Sequence, residues 1–84
     1  MKNNVGITDY EHMIISAVRY ALGRMTYIVN LTVDYVLKDI EKNKLSRNCL
    51  SVIKQDIESE KHLGMECDEK DWQRLLDRIK KELR

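Results

Sequence analysis

Trp72, Leu75, Leu76, Ile79 and Leu83 recur at i, i+3, i+4, i+7 and i+11, while Asp71, Arg74, Asp77, Arg78, Lys80, Lys81 and Glu82 fill the positions between them. This is the period of an α-helix with one apolar stripe and one charged face. Asp68 can cap it. The stripe must be covered, and a chain of 84 residues makes one domain with one compact core. The remaining residues therefore have to supply further apolar faces that match it.

They do so with few interruptions, since the chain has no proline and only 3 glycines. Thr8 and Glu11 form the T-x-x-E pattern of a capping box, so a first helix starts there. Its apolar face is predicted from Tyr10, Met13, Ile14, Ala17, Val18, Ala21 and Leu22. It runs until Gly23, which either ends the helix or lets another backbone come close.

Thr26 to Val36 is ambiguous. Tyr27, Val29, Leu31, Val33 and Tyr35 alternate with polar residues as in a strand, whereas Met25, Ile28, Val29, Thr32, Val36 and Ile40 form a helical stripe. A lone strand has nothing to pair with unless two chains meet there, so a helix to about Lys44 is expected. Ser46 caps a third helix with Cys49, Leu50, Val52, Ile53 and Ile57 facing inward, stopping near Leu63-Gly64. The expected fold class is all-α: a compact bundle of about four helices, with short connections that favour antiparallel neighbours. Residues 1–7 read as a flexible N-terminal segment and 8–84 as a single helical domain.

The formal charge of +1 removes the usual signal of a duplex binder, so sequence-specific DNA recognition is disfavoured. Apolar runs are far shorter than the roughly 20 residues that span a bilayer, and no secretion signal is visible. A cytoplasmic location is expected. Cys49 and Cys67 then read as reduced, buried thiols. With His62 they lack the paired spacing of a zinc site, and the acidic run Glu66–Asp71 lacks the alternating ligands and turn glycine of a calcium loop. No metal and no cofactor are expected.

No phosphate loop, metalloprotease motif or nucleophile elbow is present, and neither His12 nor His62 has a companion group for general-base work. The expectation is a protein that is not an enzyme. One stretch remains, RYALGRMTYIV at residues 19–29, with its arginines and tyrosines around Gly23. Between His12 and Val33 there is no acidic residue, so Arg19 and Arg24 have no carboxylate at i±3 or i±4. The last helix, by contrast, pairs Asp71 with Arg74, Asp77 with Lys80 or Lys81, and Arg78 with Glu82 at helical spacing. The arginines can reach acids on another helix such as Asp68 or Glu69, bind a phosphate-like anion beside stacking tyrosines, or serve as interface residues. Arg19, Tyr20, Arg24 and Tyr27 are thus the candidate binding residues.

RYALGRMTYIV, with LGMECDEKDW near the C-terminus, resembles a set of small proteins of phages and prophages of Gram-positive bacteria. The resemblance implies an accessory protein that neutralises a host factor by binding. An anionic, nucleotide-like or phosphate-bearing ligand is the first expectation. A protein–protein inhibitor of a host enzyme such as a defence nuclease is the second. A homodimer through the wide apolar surface of the second helix is the third.

Overall fold

In the computed structural model, which describes residues 7–22, 26–61 and 69–84, the chain forms α1 (Asp9–Ala21), α2 (Thr26–Glu41), α3 (Arg47–Lys61) and α4 (Glu69–Leu83). Among the described residues there is no strand, and the fold is all-α. The capping box is complete: the Glu11 N–H donates to Thr8 Oγ1 at 3.1 Å, and the Thr8 N–H donates to Glu11 Oε1 at 2.9 Å. Helix α1 closes at Leu22, whose N–H donates to the Val18 carbonyl, while Gly23 lies outside the described residues.

Thr26–Val36 is helical, and the burial pattern shows why. Val29, Val33, Val36 and Ile40 share one buried face, whereas Leu31 and Tyr35, which a strand would have placed beside Val29 and Val33, are exposed. Helix α2 ends at Glu41, short of the expected Lys44. Asn43 stops it with a left-handed backbone at φ 61°. Its N–H donates to the Ile40 carbonyl at 3.0 Å, and the Lys44 N–H donates to the Asp39 carbonyl at 2.9 Å. These are the two bonds of a Schellman cap, with asparagine where glycine usually stands. Ser46 then caps α3, its Oγ accepting from the Cys49 N–H at 3.2 Å. The expected Asp68 cap and Leu63-Gly64 stop lie outside the described residues.

Helix α1 packs on α2 and α3, and α4 packs on the same two, so α1 faces α4 and α2 faces α3 across the diagonals. Side-chain bonds fix the directions. Tyr10 on Asp39 brings the start of α1 to the end of α2, and Arg47 on the Glu82 and Leu83 carbonyls brings the start of α3 to the end of α4. Glu11 with Ser46 and Arg19 with Asp56 run in step along α1 and α3, as do Asn30 with Asp71 and Asp34 with Arg74 along α2 and α4. Consecutive helices are therefore antiparallel, as the short connections predict. The neighbours α1/α3 and α2/α4 are parallel, because the 42–46 connection crosses the diagonal of the bundle. Its residues span up to about 17 Å when extended, against a diagonal of roughly 14 Å for helices about 10 Å apart.

The core holds Ile14, Ile15, Val18 and Ala21 of α1, and Val29, Val33, Val36 and Ile40 of α2. The connection adds Leu45; α3 adds Cys49, Leu50, Ile53 and Ile57; α4 adds Trp72, Leu75, Leu76 and Ile79. Two expected members are absent: Met13 and Ala17 are exposed, while Ile15 is buried. The inward face of α1 is turned because α1 must meet α3 as well as α2. Val52 and Leu83, also expected inside, are partly buried at the core edge.

Candidate functional site

Arg19 has no acidic partner on its own helix and finds one on α3, its Nε donating to Asp56 Oδ2 at 2.7 Å. The expected alternatives, Asp68 and the side chain of Glu69, lie outside the described residues, and among the described residues α1 lies beside α3 and not α4. The arginine side chain remains 60% exposed, so this is a surface pair of small energetic weight. Successive helical residues point about 100° apart, which separates Arg19 from Tyr20. Arg19 faces a cleft of about 250 Å³ with Ile7, His12, Ile15 and Val52. Tyr20, 58% exposed, continues the line of Met13 and Ala17 along the other side of α1. Arg24 and the side chain of Tyr27 lie outside the described residues. The expected grouping is thus divided: Arg19 lies over α3, and Tyr20 follows the α2 side.

On that α2 side lies a larger feature. A groove of about 360 Å³ runs between α1 and α2, lined by Met13, Ile14, Ala17, Leu31, Thr32, Tyr35 and Val36. The large apolar residues exposed among the described ones are Met13 (58%), Tyr20 (58%), Leu31 (56%) and Tyr35 (52%), and they all belong to these two helices. Taking about 200 Å² per large side chain, they leave roughly 400 Å² in contact with water. Of these four, Met13, Leu31 and Tyr35 line the groove, and Tyr20 does not. The sequence signal for the α2 half of the groove is the wide apolar surface of the second helix, which the sequence reading links to a homodimer; the α1 half is not visible there, because Met13 and Ala17 fall on the face expected to be core.

Below the groove, at the starts of α1 and α3 and the end of α2, a polar cluster is sealed into the bundle. Glu11 is 3% and Asp39 4% exposed. Burial alone would raise the Glu11 pKa, but the backbone N–H groups of Thr8 and Ser46, the latter at 2.5 Å from Oε2, outweigh it and hold the carboxyl below its ordinary value. Asp39 accepts from the Tyr10 hydroxyl at 2.5 Å, and the Tyr35 hydroxyl stands 3.3 Å from that of Tyr10. The bond to Asp39, then that to Tyr35, pushes the Tyr10 pKa upward. Lys44 places its ammonium 5.8 Å from the centre of the Tyr10 ring. Burial, with the nearby charges of Glu11 and Asp39, pushes the Cys49 thiol up to about 12. The Glu11 carboxylate holds the diagonal connection at Ser46, the Asp39 carboxylate holds Tyr10 of α1, and the cysteine beside them is a fully buried thiol. The cluster ties the fold together.

On the opposite flank Arg74 bridges Asp34 at 3.1 Å and Asp71 at 3.0 Å, while Asn30 donates to Asp71 at 2.7 Å. Arg78 pairs with Glu82 as its spacing predicts, whereas Lys80 meets Glu58 of α3 and Asp77 accepts from Gln73. Among the described residues, no group of His, Cys, Asp and Glu is arranged to hold a metal ion, and no helix is long and apolar enough to cross a membrane. No family model, curated protein or solved structure matches this chain.

Proposed function

We propose that the chain is a non-catalytic binding module that seats an amphipathic helix of a partner protein in the α1/α2 groove. The observation that carries this is the groove itself: concave, apolar, flanked by half-exposed Met13, Leu31 and Tyr35 on two antiparallel helices. Such grooves take helices with apolar side chains at i, i+3 or i+4, and i+7. The resemblance to phage proteins makes a host factor, such as a defence nuclease, the natural source of that helix.

The test is a selection of displayed helical peptides on the wild-type protein, followed by affinities for Leu31→Asp. The expected outcome is an amphipathic consensus that binds Leu31→Asp at least about tenfold more weakly. Stability should stay within about 0.5 kcal/mol, because Leu31 is exposed. Absence of enrichment, or equal binding to both proteins, overturns the proposal.

A second reading, an anionic nucleotide-like ligand, rests on the cleft between α1 and α3 that places Arg19 and His12 above Ile7, Ile15 and Val52. Asp56 already answers the Arg19 charge there, which is why the groove is preferred. Thermal stabilisation by a nucleotide, lost in Arg19→Ala, would reverse that order. No shift across a nucleotide panel removes the second reading.

A further inference from the structure

The cleft between α1 and α3 is built along one face of α1. His12, Ile15 and Arg19 stand at i, i+3 and i+7, so the two polar residues lie two turns apart, about 10.5 Å along the axis, with Ile15 between them. Val52 of α3 and Ile7 complete the lining. The volume, about 250 Å³, lies below the roughly 300–1,000 Å³ of sites that enclose a drug-sized ligand. The cleft therefore holds a small molecule, and only part of a nucleotide would fit inside it.

Arg19 is held there but not used up. Asp56 Oδ2 accepts from its Nε at 2.7 Å, and no described residue meets the two Nη groups of a side chain that is 60% exposed. A guanidinium carries five N–H donors in a fixed fork, and its Nη pair matches the two oxygens of a carboxylate. Asp56, anchored on α3, thus fixes the orientation of the fork and leaves its outer edge open.

Asp56 also sets the charge that the cleft accepts. Its anion beside the guanidinium reduces the net field on a bound anion. Attraction grows in proportion to the charge of the ligand, whereas the cost of stripping water from an ion grows with the square of that charge. A weakened field therefore favours one negative charge over two. A carboxylate carries one, and a phosphate monoester carries about 1.5 to 2 at neutral pH. Ile7, Ile15 and Val52 add an apolar floor, which only a ligand with an apolar body covers.

We infer that the α1/α3 cleft, the site of the second reading above, takes a small monocarboxylate with an apolar body; this rests on that reading's cleft and Arg19 contact and not on its nucleotide. The carboxylate sits on the Arg19 Nη pair, the body lies over Ile15 and Val52 toward His12, and Asp56 selects against doubly charged anions.

Hexanoate is the probe, titrated into isotope-labelled protein and followed by NMR. The methyl signals of Ile7, Ile15 and Val52 should move together and saturate at millimolar concentration, while those of Leu31 in the α1/α2 groove stay still. Hexanamide keeps the body and lacks the charge; hexyl phosphate keeps the body and adds charge. Each should bind at least about fivefold more weakly than hexanoate. Arg19→Gln should weaken hexanoate about five- to tenfold with an unchanged circular dichroism spectrum, since the pair it breaks lies at the surface. Asp56→Asn should abolish the preference for hexanoate over hexyl phosphate. Equal binding of hexanoate and hexanamide, full affinity in Arg19→Gln, a preference that survives Asp56→Asn, or shifts confined to Leu31 overturn the inference. A nucleotide that moves the same methyl signals more strongly than hexanoate overturns it and upholds the second reading, whereas no shift with either probe removes both.

Discussion

Glu11 holds two segments at once. One oxygen accepts the N–H of Thr8 in its own helix cap, and the other accepts the N–H of Ser46, where the diagonal connection enters α3. Glu11→Ala should therefore cost more than a capping residue does. The local bond contributes about 1 kcal/mol. The Ser46 bond is charge-assisted and sealed from water, and contributes about 1.5–3 kcal/mol. The sum, about 3 kcal/mol, is a large share of the roughly 4–13 kcal/mol expected for a domain of this length, and it should lower Tm by roughly 12–24 °C. Thr8→Ala breaks only the bond from the Glu11 N–H to Thr8 Oγ1 and should cost about 1 kcal/mol.

The pH dependence is a second readout. Because the Glu11 pKa is lower folded than unfolded, its stabilisation is complete above the ordinary carboxylate value of about 4.3 and is lost as pH falls through the folded value. Glu11→Gln does not titrate. It also turns an amide N–H₂ toward one of the two donors, so the variant is weaker at neutral pH. The gap between wild type and Glu11→Gln, measured by urea unfolding, should be flat above about pH 5 and shrink toward about pH 3. Glu11→Ala costing no more than Thr8→Ala, or a gap that stays constant down to that acidity, would refute the role assigned to Glu11.

Asn43 carries the left-handed cap of α2, so Asn43→Ala should destabilise by about 1 kcal/mol, and Asn43→Gly should be neutral or stabilising by about 0.5 kcal/mol in the same urea assay. A harmless Asn43→Ala contradicts the cap. Cys49 is fully buried with its thiol pushed up to about 12. In a Cys67→Ser background, iodoacetamide should label it at least about a hundredfold more slowly than in the urea-unfolded chain. Fast labelling of the folded protein would show that the cluster beneath the groove opens without global unfolding.

Much of the fold was legible in the sequence because its signals are local. The T-x-x-E box, the Ser46 cap and the Trp72–Leu83 stripe concern residues within about one to three turns of each other, and helical geometry alone places them. The end of α2 was legible in principle too. Asn43 among the polar residues Glu41–Lys44 is a stop signal of the asparagine type, passed over because glycine is the usual sign. The binding surface was harder to read. Arg19 and Tyr20 are adjacent in the chain, and adjacency suggested one site, but a helix points neighbouring residues in different directions, so Arg19 lines the α1/α3 cleft and Tyr20 stands exposed beyond it. Leu31 and Tyr35 belong to the apolar surplus that the second helix shows in sequence, but that Met13 of α1 stands beside them depends on how the two helices pack.

By itself the sequence determined that this chain is mostly helical, where α1 and α3 begin, which stripe α3 and α4 turn inward, and that Arg19 lacks a partner on its own helix. Those properties follow from the period of the helix and the chemistry of its ends. The tertiary structure decided that α2 and α3 stand across a diagonal, that Asp56 meets Arg19, that Glu11 and Asp39 are buried, and that α1 and α2 keep an uncovered groove between them. Each of these depends on which helices become neighbours. Connection length constrains how far apart consecutive helices can lie, but the order in which four apolar stripes cover one another is set by the packing of all of them together.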